Sequence, residues 1–473
     1  MKTYGIICEY NPFHNGHIYQ IEKTKELTGA DHIVAIMSGN YVQRGEPALM
    51  DKFTRAKIAV RNGVDLVIEM PVQYSLANAE MFARSGVMML GALRCVDGIS
   101  FGAECDDIEA LKKCADAVHE LSTAENLKPL MEQGMPYPAA IQQLVALKHG
   151  PALSELLDSP NNILAIEYLK SLKLLKLDEK IKPVAIKRSG AEHDGEEHTD
   201  TIASGEYIRR LIDDGEDFSA FVPKDTFDAV TEYDNNDLLC WYENFERVLL
   251  YRLRTISPQE LFTTPEVDQG LGNRIFQAAR AANSLEDLLE KIKTKAYPMA
   301  RIKRALFSMM LGIKADDLKV PPLYGRILAL NDRGADILKL AGSLPEDGLS
   351  IPFSSSLKDF LNKDNQRAMR SASMTTVSSD IYVLGARNIR PSGMDFTTPI
   401  SFEKIEGFVS ELPADLKTTA HSGTAEEVEA ARKADREEFE RRKAIQMENP
   451  SESAEEIDDT PVEETETDGE AND

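Results

Sequence analysis

The sequence predicts an α/β fold: a parallel sheet covered by helices on both faces, then a mainly helical domain. Two patterns carry this. As far as about Val222, short apolar runs alternate with amphipathic stretches, as in strands buried on both sides and joined by crossover helices. Beyond Pro223 the apolar residues recur almost wholly at helical spacing. The first run, Tyr4–Cys8, is broken by Asn11-Pro12, and the others are His32–Met37, Leu66–Glu69, Gly98–Phe101 and Pro183–Lys187. Helices are expected at Lys52–Arg61, Asp107–Leu121 and Asn162–Leu174, which makes residues 1–222 a Rossmann-like domain with five core strands. Residues 223–422 form the helical domain, with helices at Leu238–Arg254, Gly270–Asn283, Leu285–Lys293, Arg301–Leu311 and Gly325–Leu338. Residues 423–473 form a charged end: a solvated helix at Thr424–Gln446, then an acidic tail.

The segment most informative about chemistry is Glu9-Tyr10-Asn11-Pro12-Phe13-His14-Asn15-Gly16-His17, between the first strand and a helix that begins near Ile18. Unpaired N–H groups and the positive dipole end at a helix start favour a phosphate, and two imidazoles three residues apart can face the same oxygens. Gly16 leaves backbone bare for a ribose or base to approach. The competing reading is structural: His14 caps the helix and His17 packs. Two histidines flanking a glycine at this turn favour the ligand.

This element resembles the HxGH nucleotidyltransferase superfamily, and further segments narrow the resemblance. Glu9 to His17, Met37-Ser38-Gly39, Gln43-Arg44-Gly45-Glu46-Pro47, Asp65 to Glu69 and Pro160-Asn161-Asn162-Ile163-Leu164 are similar to the tRNA(Met) cytidine acetate ligase family, over nearly all the chain to about Leu338. The resemblance implies an enzyme that activates acetate with ATP and acetylates the wobble cytidine of elongator tRNA(Met). His14 and His17 are the implied catalytic pair. ATP contacts are implied along Ile7, Cys8, Glu9, Tyr10, Asn11, Pro12, Phe13, His14, Asn15, Gly16, His17, Ile18, Tyr19 and Gln20, and at Gly102, Asn161, Asn162 and Arg188. Mg²⁺ is expected with the ATP. Ala203-Ser204-Gly205-Glu206-Tyr207-Ile208-Arg209 resembles the second signature of the superfamily, which adds Ser204 and Arg209 as phosphate contacts, although Gly205-Glu206 departs from its usual Ser/Thr content.

Taken as residues, these positions suit such roles. Gly102 ends a strand where a ligand can come close, or where a tight turn needs it. Asn161-Asn162 opens a helix, and one of them can cap it while an amide reads adenine or ribose. Arg188, at a strand end, can fork onto phosphate. Gln43-Arg44 follows the second strand and is a candidate contact for acetate or the RNA end. Lys52 and Arg55 after it read as an ordinary solvated helix face.

A net charge of −25 argues against a nucleic-acid partner, but its distribution weakens the objection. From Glu448 to Asp473 there are twelve acidic residues and no basic one, close to half of that charge. Against this background Lys291, Lys293, Lys295, Arg301, Lys303 and Arg304 fall in fourteen residues with Tyr297 among them and no acid, a candidate tRNA surface. The alternative is a basic helix face balanced by neighbouring acids. No apolar run approaches the roughly 18 residues of a membrane span, and the five scattered cysteines suit a reduced cytoplasm. They show no zinc spacing, so no protein-held metal is expected. Tests of function must separate this ligase, with tRNA and acetate as partners and neither membrane nor DNA, from two rivals. One is an adenylyltransferase acting on a small phosphate-containing metabolite; the other is a non-catalytic ATP- or RNA-binding protein.

Overall fold

The five expected core strands form as β1 (Thr3–Cys8), β2 (His32–Ser38), β3 (Leu66–Met70), β4 (Gly98–Ala103) and β5 (Lys182–Lys187), parallel and in the order 3-2-1-4-5. The computed structural model describes residues 1–188, 198–345, 349–361 and 365–405. The helix expected at Thr424–Gln446, the acidic tail and the Ser189–Asp194 stretch lie outside the described residues. Strand alternation builds two cores: Tyr4, Ile6, Ile33, Ala35 and Met37 enter one, while Ile7, Val34, Ile36, Leu66 and Ile68 enter the other. Strand order reverses between β1 and β4, which opens a crevice at their carboxyl ends, where ligands bind in such sheets.

The helices that matter below are α1 (Asn15–Thr28), α2 (Lys52–Arg61), α3 (Ala79–Ala92), α4 (Pro160–Leu174), α5 (Gly205–Asp213), α6 (Glu246–Thr255) and α7 (Met299–Leu311). Two expectations need correction. The helix predicted over Leu238–Arg254 begins only at Glu246, because Cys240 pairs in extended form with Ala386 and donates its N–H to Leu49 O. Gly325–Leu338 is not one helix either. Gly325–Asn331 is a strand, β6, antiparallel to β3, and the helix Asp332–Ser343 starts after the Asn331 cap. The run Ile327-Leu328-Ala329-Leu330 is apolar on every side, so periodicity could not separate a buried strand from a buried helix. Short strands β7 (Phe353–Ser354) and β8 (Ser401–Glu403) then pair along the outer edge of β6. Among the described residues the sheet has eight strands, three of them supplied from beyond Pro223.

Lys52 and Arg55 are fully buried, contrary to the solvated face expected of them. Arg55 gathers main-chain carbonyls of Glu9, Ser38, Gly39 and Met50, which ties the carboxyl ends of β1 and β2 together. Lys52 Nζ meets Glu69 Oε1 at 2.6 Å and Asp395 Oδ1 at 2.7 Å, and Arg326 also bonds Asp395. Two cations and two anions thus close a buried network between β3, β6, α2 and the C-terminal segment.

Candidate active site

A cleft of about 370 Å³ opens at the carboxyl ends of β1, β4 and β5. At its centre the two histidines share the start of α1. His14 is the N-cap residue, its Nδ1 accepting from Gly16 N–H at 3.1 Å, and His17 Nδ1 accepts from His14 N–H at 3.1 Å. The rings stack with centroids 3.7 Å apart, and Tyr10 packs edge-on against His17 at 4.8 Å. Gly16 is required here: a Cβ on it would lie 2.9 Å from the His14 ring. Because each Nδ1 is an acceptor, each neutral ring carries its proton on Nε2. Burial, reinforced by Arg188 and Arg209, pushes His14 down to about 3; burial, with His14 and Arg188, holds His17 well below its ordinary value. The cap takes Nδ1 and leaves Nε2 free of it, so the two readings set against each other by the sequence do not compete for one nitrogen.

Most of the expected contacts line this cleft: Ile7, Cys8, Glu9, Tyr10, Asn11, Pro12, His14, Gly16, His17, Tyr19, Gln20, Gln43, Arg44, Gly102, Asn161, Arg188, Ser204 and Arg209. Four others do not. Phe13 is wholly buried beneath His17, and Ile18 packs on the core. Asn15 reaches away to the carbonyls of Thr201 and Ala220. Asn162 is buried, its Oδ1 accepting from Cys105 N–H and its own N–H donating to Glu104 at 3.0 Å. Its neighbour Asn161 lies between Glu104, at 2.5 Å, and Arg188, at 3.5 Å. Ser204 caps α5 through Tyr207 N–H, and Arg209 on that helix donates to Asn11 O at 2.7 Å.

Leu164 and Tyr168 were missed by sequence reasoning. They follow Asn161 on α4 at i+3 and i+7, a helical stripe that could have shown them once Asn161 was placed. The Tyr168 hydroxyl is buried with no hydrogen-bond partner among the described residues, and its ring packs 5.6 Å from Phe101.

The Gln43–Glu46 loop forms one rim. Gln43 N–H donates to Glu9 Oε1 at 2.7 Å, and Arg44 bridges across the mouth to Glu206 at 2.8 Å. Gly45 has φ +79°, and a Cβ there would sit 2.4 Å from Arg304 N, so the loop lies directly on the α7 backbone. Much of the predicted basic run therefore has local work. Lys303 bonds Glu46, Arg304 forks onto Glu266 at 2.6 and 2.9 Å, Arg301 bonds Asp268 at 2.8 Å, and Lys291 pairs with Asp287. Lys293 and Lys295 are exposed, with no acidic partner among the described residues.

Comparison with known proteins now bears on this geometry. The HIGH nucleotidyl transferase family model matches residues 1–394. A tRNA(Met) cytidine acetate ligase of Acetivibrio thermocellus is 36% identical over 420 residues, covering 85% of this chain and 99% of that protein. The chain belongs to the tRNA(Met) cytidine acetate ligase family. A second member, from Clostridium novyi, is 38% identical over 378 residues, covering 77% of this chain and 94% of its own length. Among solved structures, Thermotoga maritima TmcAL bound with alpha-thio ATP is 29% identical, with a TM-score of 0.77 over 86% of this chain and 100% of that one. Among the described residues no helix is long and apolar enough to cross a membrane.

Proposed function

We propose that this cleft carries both half-reactions of the family: ATP and acetate give acetyl-adenylate and pyrophosphate, and the wobble cytidine of tRNA(Met) then takes the acetyl group to become N4-acetylcytidine. The observation that carries the reading is the pair of stacked imidazoles, each locked by its Nδ1 and each left with an Nε2–H donor. Neutral, preoriented donors at a helix start stabilise charge that builds on phosphate oxygens during displacement at the α-phosphorus. Arg188 and Arg209, both near enough to act on His14, add positive charge to the cleft. Acetate attacks in line as pyrophosphate departs; the exocyclic amine of cytidine then attacks the acetyl carbon and AMP leaves.

The ATP analogue held by the Thermotoga relative supports ATP as the nucleotide. The apolar stripe of Leu164 and Tyr168 with Phe101 suits the adenine side, beside Gly102 and Asn161. Magnesium accompanying the nucleotide would neutralise the pyrophosphate and be held chiefly by ATP's own phosphate oxygens. We assign the region beyond Pro223 to tRNA, with Lys293 and Lys295 as its phosphate contacts, and place the enzyme in the cytoplasm. Incubation with ATP, labelled acetate and tRNA(Met), followed by mass spectrometry of the nucleosides, should give labelled N4-acetylcytidine and acetate-dependent pyrophosphate. Pyrophosphate release that ignores acetate would refute the assignment.

A further inference from the structure

The transfer step, on whose reading this inference rests, needs a group to take the proton that the cytidine amine loses. The histidines do not serve, since each Nδ1 already accepts a main-chain N–H and burial disfavours a second ring proton. The Cys8 thiol is buried and pushed far up, so it stays protonated. Three carboxylates line the cleft among the described residues: Glu9, Glu46 and Glu206. Glu46 is engaged by Lys303 and Arg209, and Glu206 by Arg44. Among the described residues Glu9 has no direct ion pair. Its Oε1 accepts from Gln43 N–H at 2.7 Å, and its other oxygen has no hydrogen-bond partner among the described residues.

We propose that Glu9 is the general base of acetyl transfer. Its second oxygen takes the proton from N4 as the N4–acetyl bond forms, and the acetyl–oxygen bond breaks with its electron pair leaving on AMP. The carboxylate is aimed from outside the cleft as well as within it. Arg304, forked onto Glu266, donates to Gln43 O at 3.4 Å and so holds the peptide segment whose N–H fixes Glu9. Around Glu9 stand Arg44 on the rim, Arg209 on α5, Arg55 beneath, the Tyr168 hydroxyl on α4 and the adjacent Cys8 thiol. Burial lifts its carboxyl above the ordinary value, while the Gln43 N–H and the three arginines oppose the rise.

Glu9→Gln preserves size and can still accept the Gln43 N–H. Given chemically prepared acetyl-adenylate and tRNA(Met), its single-turnover transfer should be slower by about a hundredfold or more. The rise of the wild-type transfer rate with pH should vanish in the variant. Far-UV circular dichroism and thermal melting matching the wild type show that the variant folds, and the loss in acetate-dependent pyrophosphate exchange should be at least about tenfold smaller than the loss in transfer, on the order of the separation expected for a group acting in one step only. Equal losses in the two half-reactions, or transfer within about threefold of wild type, overturn the proposal. Failure of the underlying function appears separately, as wild-type protein that exchanges no pyrophosphate with acetate.

Discussion

The two charged regions at the carboxyl ends of this sheet differ in one respect, completeness. The network behind β3 and β6 matches two cations with two anions, Lys52 and Arg326 against Glu69 and Asp395, all 2% exposed or less. In the cleft beside β1 and β4 the charges are not paired off in this way among the described residues: Arg188 donates to the Asn161 amide oxygen at 3.5 Å with Glu104 nearby, and both histidines keep an Nε2 donor. A closed set of charges joins a C-terminal segment to an N-terminal sheet. Removing one partner should therefore damage stability in the first region and rate in the second.

The largest effect should come from Asp395→Asn, which leaves Lys52 and Arg326 facing Glu69 alone. Stranding a buried charge costs about 3–5 kcal/mol, to be seen as a lower midpoint in urea unfolding. Activity per folded molecule should change little, and a large loss there would join the two regions functionally. In the cleft, His17→Ala should slow acetate-dependent pyrophosphate release by about a hundredfold or more. Its stability cost should be only about 1 kcal/mol, for the lost cap. His14 gives a pH signature. With its folded value near 3 and its unfolded value near 6.5, the unfolded state binds the extra proton between them, so stability falls as pH drops from about 6.5 to about 3. His14→Asn, which keeps a capping side chain, should show a shallower decline of melting temperature over that window.

A smaller effect separates the basic residues. Lys293→Gln with Lys295→Gln should weaken tRNA binding and lower the magnitude of its log–log salt slope by roughly 0.7–0.9 for each lost phosphate contact. Pyrophosphate release without tRNA should persist. An unaltered slope would make these lysines plain surface. Smallest of all, Arg44→Ala removes a bridge whose partners are 55% and 73% exposed, which should alter stability by less than about 0.5 kcal/mol in thermal melts. A larger loss would mean that the rim is held shut by this pair.

Much of this protein was legible in its residues. The five core strands follow from apolar runs, and the helix start that carries the two histidines around Gly16 from the strand-to-helix turn, because both are local patterns of side-chain type and spacing. Lys52, Arg55 and the basic run were misjudged or only half read for the opposite reason. A cation's role depends on which carbonyl or carboxylate meets it in space, and Glu266 for Arg304 or Asp395 for Lys52 cannot be inferred from sequence neighbours. The strand Gly325–Asn331 was hidden because an apolar run has no face, and only the open edge of β3 decided that it should extend. Periodicity and composition determined the elements and the chemistry of the first turn. Tertiary packing alone decided which charges cancel and that, among the described residues, Glu9 is the cleft carboxylate without an ion pair, since electrostatic pairing is set by distances that no one-dimensional pattern records.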